Sequence, residues 1–172
     1  MFHKFLLRKI LSEIVIMNIE IQKIATKQDL EDVKQLFREY ANFLQVDLCF
    51  QGFENELAKL PAKYAEPEGA IFLAKVDAQP AACVALWKLE EGICEMKRLY
   101  VKSEFQGLGL GKKLTLMLLE EAKNKGYKTM KLDTLKRLKS ANYIYNALGF
   151  TEIKPYNFNP EVDVVYFEKE LI

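Results

Sequence analysis

The sequence predicts one α/β domain, a mixed β-sheet with helices on both faces. At 172 residues the chain suits a single domain with a sizeable core. Strand-type alternation and helix-type spacing follow one another in the order β-α-α-β-β-β-α-β-α-β-β. No repeat, flexible linker or low-complexity segment divides the chain.

From Asn18 to Ile24, "NIEIQKI" alternates polar and apolar residues, as a half-buried strand does. Thr26 and Asp29 then resemble a capping box with Asp in place of Glu. Leu30, Val33, Phe37, Tyr40, Ala41 and Leu44 trace one apolar stripe of a first helix. "FENELAKLPAKY" predicts a short second helix that stops near Pro61, whose ring cannot continue it. "AIFLAKVDAQPAACVALWKL" reads as two strands joined by a turn around Asp77–Pro80, and "GICEMKRLYV" as another strand. Leu110, Leu114, Met117, Leu118 and Ala122 mark a third helix, with Lys123 and Lys125 at its negative end and Gly126 just past it. "YKTMKLDTL" is a strand, Ser140 to Gly149 a short helix, and "VDVVYFEKEL" the closing strand.

Residues 1–16 read as an N-terminal extension ahead of a single domain, 17–172. In "MFHKFLLRKILSEIVIM", Phe2, Phe5, Leu6, Ile10, Ile14 and Met17 follow helical spacing, while Arg8, Lys9 and Glu13 interrupt the apolar run. The stretch is too short and too charged to span a bilayer. Three readings stay open: a packing or dimer helix, a membrane-surface anchor, or a leader ahead of a start at Met17.

A formal net charge of +1 with no block of like charge argues against a nucleic-acid partner. Cys49, Cys83 and Cys94 are odd in number and widely spaced, which suits buried, reduced thiols in the cytoplasm. The sole histidine, His3, lies in the extension, so the domain has neither histidine-based triads nor a His-zinc centre, and no metal site is expected. Proton transfer is left to a carboxylate, tyrosine, lysine, cysteine or water.

"EFQGLGLGKKL", residues 104–114, places three of the chain's eight glycines on alternate positions. Gly107 to Gly111 is one residue short of a Walker A loop, and Lys113 stands where its hydroxyl residue belongs. A dinucleotide fingerprint would follow its strand directly, without the "KSEF" spacer. The shared physics still applies: bare N–H groups at a helix start form an anion cradle. The plainer alternative is a turn that only reverses the chain.

The flanks of the loop extend the cradle. "RLYVKSEFQGLGLGKKL" resembles the acyl-CoA signature of the GNAT superfamily of N-acetyltransferases, with Gln106, Gly109 and Gly111 meeting Q/R-x-x-G-x-G/A. "ANYIYNALGF" is similar to the superfamily's other hallmark, an alanine, a tyrosine four residues on and a terminal Leu-Gly-Phe. The two motifs stand in the right order, and the resemblance covers all but the extension. It implies a three-layer αβα fold around a central mixed, splayed sheet. It also implies an acyltransferase that moves an acetyl group from acetyl-CoA to a primary amine, on a small molecule or a peptide, by direct attack in a ternary complex. A homodimer is compatible with it.

By the same resemblance, Gly107, Leu108, Gly109, Leu110, Gly111 and Lys112 would offer backbone amides to the CoA pyrophosphate, with Gln106 opening the motif. Leu99, Tyr100 and Val101 would pair through their backbone with the pantetheine arm, in a gap opposite the strand near Lys128–Leu135. One position departs: many relatives carry an asparagine where this chain has Leu138.

Two groups are candidates for moving protons. Glu95 matches the general-base glutamate of part of the superfamily. Simple alternation puts Ile93, Glu95, Lys97 and Leu99 on one strand face, so Glu95 also reads as a carboxylate bridged to Lys97. Tyr145 shares a core-facing helix side with Ala141, Ile144 and Leu148, and the motif aims its hydroxyl at the CoA sulfur as general acid. Tyr156 and Asn157, in "KPYNFNP", read either as walls of the acceptor pocket or as plain turn residues. Glu54, Glu56 and Asp163 in the acceptor region are compatible with a small cationic amine. The rival to an enzyme is a non-catalytic acyl-CoA-binding module with a regulatory role.

Overall fold

The computed structural model describes residues 17–45 and 52–171; the readings of residues 1–16 and of Cys49 fall outside them. The elements run β1 (Ile19–Lys23), α1 (Lys27–Leu44), α2 (Phe53–Lys59), β2 (Ala70–Val76), β3 (Gln79–Glu90), β4 (Ile93–Val101), α3 (Leu110–Asn124), β5 (Thr129–Leu135), α4 (Lys139–Ala147), β6 (Thr151–Ile153) and β7 (Val164–Glu170). This is the order the sequence predicts. Short 3-10 turns at Ala62–Tyr64 and Ser103–Phe105 are added to it.

Local chemistry starts α1 as expected. Thr26 Oγ1 accepts the Asp29 amide at 3.0 Å, and Asp29 Oδ2 accepts the Thr26 amide at 3.1 Å. Lys75 on β2 donates to the same carboxylate at 2.8 Å, which ties the cap to the sheet. The turn between β2 and β3 is narrower than anticipated. Asp77 and Ala78 alone take positive φ, 49° and 65°, so Gln79 and Pro80 already belong to β3.

The strands form one sheet in the order β1-β2-β3-β4-β5-β7-β6, antiparallel everywhere except between β4 and β5. Helices α1 and α2 cover one face over Val33, Phe37, Leu57, Leu73 and Cys83. Helices α3 and α4 cover the other over Val84, Met96, Leu114, Leu118 and Phe167. The result is a three-layer α/β sandwich. Cys83 and Cys94 are buried free thiols within it, and burial pushes Cys94 up to about 12. Among the described residues, no helix is long and apolar enough to cross a membrane.

Strand β4 breaks the simple alternation, which corrects one expectation. Cys83 faces Tyr100 while Ala85 faces Lys97, so β4 carries one residue more than β3 between these pairs. Arg98 takes φ 59° in this bulge. Its guanidinium grips both oxygens of Glu56 on α2, at 3.0 and 2.9 Å, which offsets the cost of a left-handed backbone. Leu99 therefore does not share a face with Glu95 and Lys97. It turns to the α3–α4 side with Val101, while Tyr100 turns toward α1.

The sheet also splays. β4 pairs with β5 only at Ile93–Thr129, Cys94–Met130 and Glu95–Lys131. Beyond these, β4 follows β3 to Val101 and β5 follows β7 to Leu135, so the two halves part. A gap opens between Met96–Val101 on one side and Leu132–Leu135 on the other.

Candidate active site

The glycine loop leaves the open end of β4 and enters α3. Gly107 and Gly109 hold φ of 83° and 73°, where a side chain would be strained. A Cβ on either would meet nothing within 4 Å, so the space above the turn is open. Gly109 caps α3 without a side-chain bond, and the first helical hydrogen bond runs from the Lys113 amide to the Gly109 carbonyl at 3.1 Å. The amides of Leu110, Gly111 and Lys112 precede that bond and point out of the helix start. Lys112 and Lys113 are exposed at this positive end, an arrangement that favours an anion between them. Gly111 has a different reason to be glycine: its Cβ would stand 3.2 Å from Ile144 Cδ1 on α4. These residues fit the diphosphate of an acyl-CoA.

The α3–α4 side of the sheet supplies a phenol. Tyr145 is 5% exposed, its ring packed edge-on against Phe150 and tilted against Phe167, with centroids 5.7 and 6.0 Å away. None of the side-chain hydrogen bonds among the described residues involves its hydroxyl, which is not one of the fully buried atoms left without a partner. Burial pushes it well above the ordinary tyrosine value, so it is a protonated donor at neutral pH. Asn142, one turn earlier, donates to the carbonyls of Leu135 and Leu138 at 2.9 and 2.8 Å. It closes the turn between β5 and α4, and Leu138 packs in the α1–α2 core.

The opposite side, below the last β4–β5 pair, is a polar network. Glu95 is 1% exposed. Its Oε2 accepts from Trp87 Nε1 at 2.5 Å, and its Oε1 from Tyr156 Oη at 2.6 Å and Lys97 Nζ at 3.0 Å. Asn157 Nδ2 lies 3.5 Å from the same oxygen. Lys97 also donates to Asp133 on β5 at 2.7 Å, and Asn159 Nδ2 donates to the other Asp133 oxygen at 2.9 Å. Burial alone would lower the Lys97 value, but the two carboxylates beside it hold the ammonium above its ordinary range. For Asp133, burial pushes up and Lys97 pulls down, and the net is a carboxyl below its ordinary range. Asn157 Oδ1 is buried without a partner among the described residues.

The structure thus brings Glu95, Tyr156 and Asn157 together, sets Tyr145 on the other side, and leaves the glycine cradle at the end of the gap. Trp87, Asp133 and Asn159 were not legible as part of the site. Trp87 stands directly opposite Glu95 in the β3–β4 register, but an irregularity between Lys88 and Glu90 shifts that pairing by one, so counting back from the Glu91-Gly92 turn sets Trp87 opposite Met96 instead. Asp133 and Asn159 reach the network through tertiary contacts that no local pattern marks. Two of the three acids of the acceptor region are paired, Glu56 with Arg98 and Lys63 and Asp163 with Arg137, while Glu54 is exposed.

Comparison with known proteins bears on the same elements. The family model described as Acetyltransferase (GNAT) family matches residues 30–150. An N-acetyltransferase of Schizosaccharomyces pombe is 40% identical over 156 residues, 90% of this chain and 96% of that protein. Among solved structures, a GNAT-family acetyltransferase from Staphylococcus aureus superposes with a TM-score of 0.74 at 21% identity, covering 90% of this chain and 100% of that one. An N-acetyltransferase from Thermoplasma acidophilum, solved in complex with coenzyme A, superposes with a TM-score of 0.69 at 20% identity, covering 89% and 99%.

Proposed function

The chain belongs to the acetyltransferase (GNAT) family, and on that premise we propose that it transfers an acetyl group from acetyl-CoA to a primary amine by direct attack in a ternary complex. The observation that carries this is the gap beyond Glu95–Lys131, which runs out to a bare glycine turn at a helix start. The backbone of Gln106, Gly107, Leu108, Gly109, Leu110, Gly111 and Lys112 holds the diphosphate. The free edge of Leu99, Tyr100 and Val101 pairs with the pantetheine amides. When bound, acetyl-CoA supplies a thioester carbonyl at the closed end of the gap.

The protein's own groups then manage charge and protons. Attack by the amine nitrogen on the thioester carbon forms the C–N bond as the C–S bond breaks. Tyr145 gives its hydroxyl proton to the departing sulfur, a role suited to a phenol that burial keeps protonated. The proton lost by the amine ends on Glu95. Tyr156 and Asn157 border the acceptor. With Glu56 and Asp163 paired, exposed Glu54 is what remains to attract a small cationic amine. We place the enzyme in the cytoplasm, where its buried thiols stay reduced.

Thermal unfolding with free CoA and thiol release from acetyl-CoA test this together. CoA should raise Tm by mass action, because it binds only the folded state. Thiol release should rise on adding an amine. Binding without amine-dependent release would leave a ligand-sensing module and overturn the enzymatic reading.

A further inference from the structure

The carboxylate assigned above to receive the amine's proton cannot be touched by an amine. Glu95 is 1% exposed. A carboxylate has about four lone-pair sites, and Trp87, Tyr156, Lys97 and, more distantly, Asn157 already converge on them. The group within reach is Tyr156, which is only half-buried. Its hydroxyl spends its proton on Glu95 Oε1 at 2.6 Å, so the lone pairs of Oη turn away from the carboxylate. An amine carries the N–H group that this oxygen can accept.

We propose that Tyr156 is a catalytic residue that relays the proton of the attacking amine to Glu95. This rests on the acetyl-transfer reading of the same site. As the amine nitrogen bonds to the acetyl carbon, its N–H bond breaks and a new O–H bond forms on Tyr156. The original Tyr156 O–H bond breaks in the same event, and its proton bonds to Glu95 Oε1. Tyr156 ends neutral, as it began, and never persists as tyrosinate. The positive charge lost from nitrogen is balanced by the negative charge lost from Glu95. Lys97 does not lose its counter-charge, because Asp133 still holds it at 2.7 Å.

The acceptor side is tested with a panel of L-α-amino acids, α,ω-diamines and short peptides, followed by thiol release from acetyl-CoA. No amine-dependent release from any of them would overturn the acetyl-transfer reading and the relay with it. With an amine that works, Tyr156→Phe should lower kcat about 100-fold, the ordinary share of one proton-transfer group. The KM for acetyl-CoA and the CoA-induced rise in Tm should stay put. Adding Glu95→Gln to Tyr156→Phe should cost little more, since both interrupt one path; losses that multiply would overturn the relay. A wild-type rate retained in Tyr156→Phe would overturn it alone and leave acetyl transfer standing. A second measurement does not depend on that variant folding. In Tyr145→Phe, where the acid side is silent, the rate in mixtures of H2O and D2O should follow a curve for two moving protons. A straight line, for one proton, would overturn the relay.

Discussion

The two sides of the sheet at the gap solve opposite problems with the same residue type. On the α3–α4 side, Tyr145 sits among Phe150 and Phe167, outside any side-chain hydrogen-bond network of the described residues. On the α1–α2 side, Tyr156 is bound to Glu95, which is bound to Trp87 and Lys97, which is bound to Asp133. An isolated phenol in an apolar wall contributes little to stability through its hydroxyl and keeps its O–H available to a group that enters the gap. A phenol inside a charge network is part of what holds two strands and a loop together. The difference teaches that loss of function and loss of fold should separate by side of the sheet.

The largest effect should come from the networked side. Lys97→Met leaves Glu95 and Asp133 buried without their shared cation, an imbalance that costs about 3–5 kcal/mol. For a domain of this size that corresponds to a fall in Tm of roughly 10 °C. Thermal unfolding of the free protein checks it, and an unchanged Tm would mean the network does not join β4 to β5.

Tyr145→Phe should do the reverse. Turnover should fall about 100-fold, near 2.7 kcal/mol of transition-state stabilisation, while Tm and CoA affinity stay close to wild type. The deficit should shrink with an acyl donor whose thiol is more acidic, because that leaving group needs less protonation. A stability loss as large as that of Lys97→Met would erase the contrast between the sides.

Gly109→Val tests the cradle that both sides serve. Its Cβ would project into the open space above the turn, and its φ of 73° strains any side chain. Most of the CoA-induced rise in Tm should disappear; at a hundredfold excess over Kd that rise is worth about 2.7 kcal/mol. Retained CoA affinity in this variant would place the diphosphate elsewhere.

Acid should sharpen the comparison more gently. Burial pushes Glu56 and Asp133 up, but Arg98 and Lys97 pull harder, so both carboxyls lie below their ordinary range in the folded protein. A depressed folded value contributes stability that is present above the unfolded value, about pH 4, and is lost as pH falls through the folded one. Urea midpoints should therefore drop below about pH 4. The drop should be smaller in Asp133→Asn, after allowance for its lower starting stability. An equal drop in both proteins would assign acid sensitivity to other carboxylates.

Most of the framework is legible in the order of the residues. Alternation in "NIEIQKI", the Thr26–Asp29 cap, the apolar stripe of α1 and the run of β2 and β3 are local, and hydrogen bonding along the chain reads them directly. The glycine turn is local as well, because positive φ at Gly107 and Gly109 is a property of two residues and not of their neighbours. The site is legible only in part. Glu95, Tyr145, Tyr156 and Asn157 can be picked out one at a time, by residue type and motif, but nothing in their spacing shows that three of them meet and the fourth stands apart.

What tertiary structure alone decides is where alternation fails and who pairs across it. At the bulge the Arg98 guanidinium is held by Glu56, far back on α2, and the single extra residue sends Leu99 to the opposite face. Lys97 finds Asp133 across the parting strands, and Tyr156 and Asn159 close over the pair from a loop. Periodicity encodes which way a side chain points relative to its neighbours in the chain. It carries no record of which buried charge will stand opposite, since that depends on register, bulge and splay, and these are settled only when the whole sheet packs.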